Sequence, residues 1–347
     1  MRPGIHGQMV AIALLALCPA AGQAESPNFV GEFGKGQVAW KAEYRRPDSV
    51  PFPDDNPYSA PKAALGRMLF FDPLLSGPRT ISCATCHNPG LSWSDGLPRG
   101  QGVGKQPLAL RTPTLLNVAW IETLGWDGKF NSLERVTFAP ITASANMNEP
   151  AEDLAARLST IPGYVAAFAA AFPDGAISRH NIELAIATFE RTIISGETPF
   201  DRWISGDEAA IGSAAKHGFG LFNGKARCAN CHIGWNFTEG DFYDIGAAQE
   251  NDIGRGRWFV NSPKLRHAFK TPTLRDVERR APYFHDGSAV SLEEVIELYD
   301  RGGIERESRS EYIQPLGLTK AEKADLVAFL KTLTAPPVEF SVPTLPR

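Results

Sequence analysis

The sequence contains two copies of one pattern of motifs, and this duplication constrains the fold more than any other feature. Each copy opens with Cys-x-x-Cys-His, at residues 83–87 and 228–232, and continues with Thr-Pro-Thr-Leu, starting at Thr112 and Thr271. In both copies an Asp-Gly pair follows that threonine after 15 positions, and a Ser-Leu-Glu triplet begins 5 positions after the aspartate. Matched spacings beside matched motifs predict two related domains that arose by internal duplication.

Both Cys-x-x-Cys-His motifs have the spacing that attaches a haem covalently. Two thiols three positions apart can add to the two vinyl groups of one haem, and the adjacent histidine then lies under the iron. A zinc site would have to combine both cysteine pairs, and a redox disulfide would begin a helix of an α/β domain. Neither alternative suits two separate repeats. We therefore predict two c-type haems, with these attachment and proximal residues: Cys83, Cys86 and His87, and Cys228, Cys231 and His232.

The apolar periodicity predicts a mainly α fold with long irregular loops. Together with the duplicated haem motifs, this predicts two tandem cytochrome-c-like haem domains. A helix is predicted to start at residues 59–61 and run through Leu69, and others at 151–158, 164–172, 180–194, 209–222, 292–299 and 320–333. Capping boxes are predicted at Ser205 with Glu208, Ser291 with Glu294, and Thr319 with Glu322. The predicted divisions are 1–24 signal peptide, 25–58 extended segment, 59–200 first haem domain, 201–336 second haem domain and 337–347 tail, with the boundary near 196–206.

The first residues indicate export. Arg2 precedes a short apolar run, residues 9–17, and small residues follow before Glu25. The run is too short to span a bilayer, so we expect a cleaved signal peptide and a periplasmic protein. Cys18 raises the alternative of a lipid anchor, although Leu17 before it is a poor match for such a site. No later stretch predicts a membrane span, and a net charge of -4 with only short basic runs argues against nucleic acid as a partner.

The sequence resembles the bacterial dihaem cytochrome c peroxidase and MauG family over roughly residues 50 to 335. The resemblance rests on Leu65-Gly66-Arg67, Phe71-Asp72-Pro73, Leu75-Ser76, Ile81-Ser82-Cys83, Cys86-His87-Asn88-Pro89, Trp126-Asp127-Gly128, Thr271-Pro272-Thr273-Leu274-Arg275 and Pro282-Tyr283-Phe284-His285-Asp286-Gly287. It implies that an N-terminal haem reacts with hydrogen peroxide. It also implies that a six-coordinate C-terminal haem shares the oxidising equivalents in a high-valent dihaem state.

The distal ligands decide which branch of the family the chain follows. After the signal peptide the only methionines are Met68 and Met147, both in the first half. The second haem then has His217, His267, His285 and several tyrosines as candidate ligands. The peroxidases have a distal methionine there, whereas MauG-like and MbnH-like members have a tyrosine.

The family's distal-ligand position aligns with Tyr299, 13 residues after Asp286. The alternative is that Tyr299 is a core aromatic on an amphipathic helix and binds no iron. The residue 13 after Asp127 is Pro140, which cannot bind iron. The histidine that blocks the first haem of resting peroxidases would fall at Val103. Both departures predict a first haem that is open without reductive activation.

Further roles follow from the resemblance alone. Trp126 matches the tryptophan between the two haems, where a packed aromatic is the alternative. The distal acid of the first haem would fall at Asn146, which cannot shuttle a proton, and Glu149 could replace it only if its loop were re-aimed. The family's inter-haem calcium ion would lose its asparagine ligand to Arg111, although carbonyls near Lys270 and Pro272 remain candidates, so calcium stays open. Apart from the resemblance, Trp203, Trp235 and Trp258 are candidate exits toward a partner, with buried packing as the alternative for each.

The leading hypothesis is a MauG-like enzyme that uses peroxide to oxidise tryptophan on a partner exported protein. The runner-up is a peroxidase that takes electrons from a small cytochrome or cupredoxin. A third hypothesis is an electron carrier with both irons six-coordinate.

Overall fold

The computed structural model describes residue 1 and residues 41–346. The predicted signal peptide, apart from its first residue, and residues 25–40 of the predicted lead-in lie outside that part of the chain. Within it the helices are α1 Ala60–Phe71, α2 Cys83–Cys86, α3 Leu133–Thr142, α4 Ala151–Ser159, α5 Pro162–Ala171, α6 Arg179–Arg191, α7 Pro199–Ile204, α8 Ser213–Asn223, α9 Leu292–Arg301 and α10 Lys320–Lys331. Two antiparallel strands of two residues each, β1 Phe242–Tyr243 and β2 Phe269–Lys270, form the only sheet of the described residues. The predicted mainly α class is confirmed.

The duplication is visible in the way the helices cross. Helix α1 meets α6 at Gly66, where a Cβ atom would lie 1.9 Å from the carbonyl oxygen of Ala185. Helix α8 meets α10 at Gly218, where a Cβ atom would lie 2.0 Å from the carbonyl oxygen of Asp325. A side chain at either glycine would push the two backbones apart, so both crossings require glycine. The same crossing in both halves confirms the internal duplication.

Each half has its own hydrophobic core. The first core is built from α1, α3, α4, α5 and α6 and includes Phe70, Phe138 and Phe168. The second is built from α7, α8, α9 and α10 and includes Trp203 and Phe329. Because the side chains of α7 pack in the second core, the chain leaves the first core before Pro199. The domain boundary near residues 196–206 stays a prediction.

The predicted lead-in makes a contact that its composition does not indicate. Residues 41–43 are helical, and Tyr44 after them is 1% exposed. Its ring lies 5.2 Å from that of Phe219 and 5.1 Å from that of Phe237, measured between centroids. The segment therefore contributes to the second core, although it directly precedes the first domain in the chain.

One of the three predicted capping boxes is confirmed in full. At the start of α10, Thr319 accepts from the amide of Glu322, whose carboxylate accepts from the amide of Thr319. At α9, Ser291 accepts from the amide of Glu294, but the Glu294 carboxylate accepts from the amide of Val290 instead. That box is therefore only half formed.

The predicted box of Ser205 with Glu208 is wrong, and the helix predicted from residue 209 begins at Ser213 instead. Ser205 ends α7, and the Glu208 carboxylate binds Lys41, Lys216 and the Trp203 indole. Two ammonium groups are stronger partners for a carboxylate than one backbone amide is.

The chain crosses back to the first domain at its C-terminal end. Phe340 stacks on Phe71 at 5.1 Å and meets Trp93 edge-on at 5.3 Å, measured between ring centroids. Leu345 packs against the first core. The predicted tail is thus ordered against the domain that lies farther from it in sequence.

Among the described residues, no single helix is long and apolar enough to cross a membrane. The helices Ala151–Ser159 and Pro162–Ala171 have sufficient length and apolar composition only when they are taken together. They meet at a bend of 102°.

Candidate haem sites

The second Cys-x-x-Cys-His motif opens onto a large cavity with mainly apolar walls. The cavity has about 1480 Å³ free of protein atoms, part of it open to solvent, and Cys228, Cys231 and His232 line it. The walls also include Phe222, Leu274, Val277, Leu292, Ile296, Leu326 and Leu330. Concave apolar sites of this kind with a few polar groups are typical of cofactor binding.

His232 is prepared to bind a metal. Its Nδ1 lies 2.8 Å from the carbonyl oxygen of Phe237, the contact that fixes a proton on Nδ1 and leaves Nε2 free to ligate. Burial lowers the pKa of His232 to about 4, so its imidazole is neutral at physiological pH. Neutral imidazole is the form that binds iron.

The first motif repeats this arrangement. The Nδ1 of His87 lies 3.2 Å from the carbonyl oxygen of Trp93, and burial lowers the pKa of His87. The two residues whose carbonyl oxygens accept these bonds, Trp93 and Phe237, have positive φ angles, 60° and 53°. Left-handed backbone is costly for aromatic residues, so the same uncommon loop in both halves is a specific device for aiming a carbonyl at the histidine.

These residues fit a covalent haem at each site. The four cysteines Cys83, Cys86, Cys228 and Cys231 are free thiols. Cys83 packs against the first core, and Cys228 packs against the second. Each site thus combines free thiols, a neutral histidine with one nitrogen available, and apolar packing, which is the donor set of a c-type haem.

The predicted distal positions lie on equivalent helices. Helices α3 and α9 each have ten residues, and each begins after a serine, Ser132 or Ser291, that caps the helix. Pro140 and Tyr299 are both the eighth residue. Tyr299 lines the second cavity together with His232, and within residues 41–346 its hydroxyl has no hydrogen-bond partner.

Burial and the nearby Cys231 and Cys228 sulfurs raise the pKa of Tyr299 well above its ordinary value. The phenol is thus neutral in the cavity alone, and a bound cation would be needed to form the phenolate.

The alternative ligands from histidine have partners elsewhere. His217 forms an exposed pair with Asp325, at 2.6 Å from Nδ1 to the carboxylate. His267 and His285 line the cavity, but the Nε2 of each already has a partner. His267 Nε2 accepts from Arg266 Nε at 3.2 Å, and His285 Nε2 lies 2.8 Å from the Asp252 carboxylate. Tyr299 therefore remains the best candidate for the distal ligand.

Trp126 belongs to the first half of the sequence but lies in the wall of the second cavity. It is 8% exposed, and its indole N–H donates to the carbonyl oxygen of Arg111 at 2.8 Å. Its own carbonyl oxygen accepts from the amide of Lys270 at 2.8 Å. Trp126 thus links the two halves at the cavity wall.

The three candidate exit tryptophans have different environments. Trp203 is 1% exposed and donates to Glu208, which makes it a core residue. Trp235 meets Trp120 edge-on, with 4.8 Å between centroids. Trp258 is 48% exposed. Of the three, Trp258 offers the most surface to a partner.

The residues proposed for the distal side of the first haem only partly converge. The amide of Val103 donates to the carbonyl oxygen of Asn146 at 2.8 Å, so these two positions are adjacent. Glu149 is 1% exposed, and its two carboxylate oxygens accept from Arg157 at 2.8 and 3.0 Å. A carboxylate held in this way is poorly suited to shuttle a proton. The assignment of a proton donor at this site stays a prediction.

A buried carboxyl near the first haem site was missed by the sequence reasoning. Glu190 is 7% exposed, and its Oε2 has no hydrogen-bond partner within the described residues. It lies close enough to Cys83 to raise the pKa of that thiol. The repeat could have identified it, because Phe189-Glu190 occupies the place of Phe329-Leu330, and Leu330 lines the second cavity.

Glu190 predicts a pH-dependent stability. Burial, together with nearby Glu134, raises its pKa to about 8 against the opposing effect of Arg191. The folded chain keeps this proton where the unfolded chain has lost it. The free energy of unfolding should therefore fall by on the order of a few kcal/mol between about pH 5 and pH 8. Glu190→Gln should remove most of that fall, measured by denaturant unfolding at both pH values. Glu183→Gln on the same helix is the control, and parallel pH curves for Glu190→Gln and wild type would contradict the prediction.

The fold and the two sites define a dihaem c-type protein. Residues 60–209 match the family described as di-haem cytochrome c peroxidase, and residues 215–334 match cytochrome c. The chain is 50% identical over 311 residues to the methylamine utilization protein MauG of Methylorubrum extorquens. The aligned region covers 89% of this chain and 88% of that protein. It is 43% identical over 319 residues to MauG of Methylophilus methylotrophus, with 89% and 95% covered.

A crystal structure of a MauG-like protein associated with microbial copper homeostasis has the same fold. The TM-score is 0.77 at 32% sequence identity, and the match covers 83% of this chain and 94% of that chain. The chain belongs to the di-haem cytochrome c peroxidase and MauG family. It is a haem peroxidase-type oxidoreductase with two haem cofactors.

Proposed function

We propose that this enzyme uses hydrogen peroxide to oxidise tryptophan residues of a partner protein. The observation that carries the proposal is the unequal pair of side chains at one position of two equivalent helices. Proline at the eighth position of α3 has no atom that can bind iron, and tyrosine at the eighth position of α9 can cap the second iron through its phenol oxygen. The first site is then the one that admits peroxide.

The protein's own residues would orient the cofactors and keep the indole proton of Trp126 in place. When bound, the haems supply the redox chemistry, in which one peroxide takes up two protons and two electrons and leaves as two waters. His87 and His232 would each hold one iron through Nε2, because their rings are oriented by a backbone carbonyl at Nδ1. The Trp126 N–H donates to a carbonyl, which is a poor proton acceptor, so the indole keeps its proton at Nε1 while it gives up and regains an electron.

The surface above Trp126 supports a protein as the electron donor. Arg255 donates to the carbonyl oxygens of Asp127 and Gly128 at 3.2 and 3.3 Å, so its segment covers the residues that follow Trp126. The same segment exposes three consecutive apolar side chains, Trp258 at 48%, Phe259 at 45% and Val260 at 82%. Exposed apolar groups with arginines beside them are typical of protein interfaces.

The relatives support the physiological setting. Two relatives, at 50% and 43% identity, are methylamine utilization proteins, so we place this enzyme in the same role, acting on a tryptophan-bearing protein of methylamine utilization. The N-terminal signal pattern supports a periplasmic location.

The test is oxidation of a protein partner. The holoenzyme is given peroxide and an exported tryptophan-bearing protein from the same organism, and that partner is followed by intact-mass and peptide mass spectrometry. Loss of hydrogens or gain of oxygen at its tryptophans is expected, and Trp126→Phe should slow the change. An unmodified partner, together with rapid turnover of reduced cytochrome c, would contradict the proposal.

That second outcome would favour the other candidate, a peroxidase that uses a small cytochrome or cupredoxin. The family description di-haem cytochrome c peroxidase favours it. The two functions share the peroxide-reactive site and differ only in the electron donor.

A further inference from the structure

Three cations, Arg111, Arg280 and Lys270, form a cluster in the wall of the second haem cavity. Arg111 and Arg280 are 4% and 6% exposed, and the Arg111 side chain donates to the carbonyl oxygen of Arg280. The backbones of Arg111 and Lys270 both bond to Trp126, the first through its indole and the second through its carbonyl oxygen. Arg111 comes from the first half of the chain and the other two from the second, so the cluster lies at contacts between the two halves.

The cluster has too few partners for its charge. The Nε atoms of Arg111 and Arg280 are buried and have no hydrogen-bond partner within the described residues. Each side chain makes one hydrogen bond to a backbone carbonyl: Arg111 to Arg280, Arg280 to Thr273, and Lys270 to Thr123 at 2.9 Å. In the part of the chain that the structure describes, none of the three has a carboxylate within 4.0 Å.

Such an arrangement is costly unless anions join it. Buried cations without a carboxylate in direct contact lose hydration that is only partly compensated, and unmade hydrogen bonds of charged groups add to the cost. Burial lowers the pKa of Arg111 although Asp95 opposes the shift. Burial, then nearby Arg111, lowers the pKa of Arg280 to about 10 although Asp276 opposes it. Burial lowers the pKa of Lys270 to about 8. The protein thus keeps positive charge where burial disfavours it. These cations face the cavity that fits a haem, and a haem carries two carboxylates.

We propose that Arg111, Arg280 and Lys270 bind the propionate carboxylates of the second haem, and that this built-in positive charge takes the place of a calcium ion between the haems. The free Nε atoms supply the donors that planar carboxylates accept from arginine. A calcium site does not fit the residues present, because a divalent cation would have to lie beside a buried guanidinium and ammonium group. This inference requires the second haem but not the proposed protein substrate.

Metal analysis of the purified holoprotein is the first test. We expect no stoichiometric calcium, and chelation with EGTA should leave the visible spectrum and both haem midpoint potentials unchanged. One calcium per chain whose removal changes the spectrum would overturn the inference.

Arg111→Asn provides the second test. It removes one cation and restores an oxygen ligand, so the midpoint potential of the second haem should fall, because a nearby positive charge favours the reduced iron. Added CaCl₂ should then raise the melting temperature and return the potential toward the wild-type value, with no effect on wild type. A variant with wild-type potential and no response to calcium would contradict the proposal.

Two variants separate charge from structure. Arg111→Lys keeps the charge and should keep the potential and the indifference to calcium, even if it folds less stably. Arg227→Asn changes an exposed arginine of the same cavity, at a positive φ of 55° that asparagine tolerates, and should have no effect on either measurement.

Discussion

Tyr299→Phe should leave the second haem without a distal ligand and strongly reduce oxidation of the partner protein. The phenyl ring keeps the packing of the eighth position of α9 but has no oxygen to bind iron. Loss of the ligand removes the anionic oxygen that favours the oxidised metal. We expect the rate of partner oxidation to fall ~10–100-fold, which is the range typical of removing a supporting group of a metal site.

The measurement is the electron paramagnetic resonance spectrum of the resting ferric holoprotein, which should gain a second high-spin signal. Tyr312→Phe is the matched control, because Tyr312 lines the same cavity but is 41% exposed. A spectrum of Tyr299→Phe identical to that of wild type would exclude tyrosine ligation and favour one of the cavity histidines.

Arg275→Leu should lower the free energy of unfolding by about 3–5 kcal/mol. Arg275 is 0% exposed, and its Nη1 lies 2.8 Å from both carboxylate oxygens of Asp201. Its Nε donates to the carbonyl oxygen of Trp235, in the loop that aims a carbonyl at His232. The change leaves Asp201 buried without its closest charge and also loosens that loop. Leucine is the residue found at the equivalent position 116 of the first repeat.

Denaturant unfolding, followed by tryptophan fluorescence and the haem absorption, measures the loss. Arg202→Leu changes an exposed arginine next to Asp201 on α7 and should stay within about 0.5 kcal/mol of wild type. Adding Asp201→Asn to Arg275→Leu should recover part of the loss, because no unpaired charge then remains buried. Equal stabilities for Arg275→Leu and Arg202→Leu would show that the buried pair is not a determinant of the fold.

Much of the fold could be predicted because the sequence is duplicated. The spacing from Thr112 and Thr271 onward predicted two domains. The structure has equivalent helices, α3 and α9, at the corresponding places in the two halves. Helix boundaries were less accurate. Helix α3 was missed, and α8 begins later than predicted because Glu208 binds two lysines instead of a helix N-terminus.

The site was predictable where chemistry depends on adjacent residues. Cys83, Cys86 and His87, like their counterparts in the second half, are linked by a short turn, so spacing alone indicates haem attachment. Glu190 could not be found in this way, because nothing beside it in sequence marks it as buried.

The sequence by itself determined the duplication, the two haem motifs and the difference between Pro140 and Tyr299, since each is a matter of residue type at a known spacing. Tertiary structure alone decided which cations face the second cavity, and it brought Arg111 and Trp126 of the first half into the wall of the second. It also brought Phe340 of the tail back against Phe71 of the first half. The physical reason is burial. Whether a charge is unpaired, or an aromatic ring is packed, depends on residues far away in the chain, and only folding brings them together.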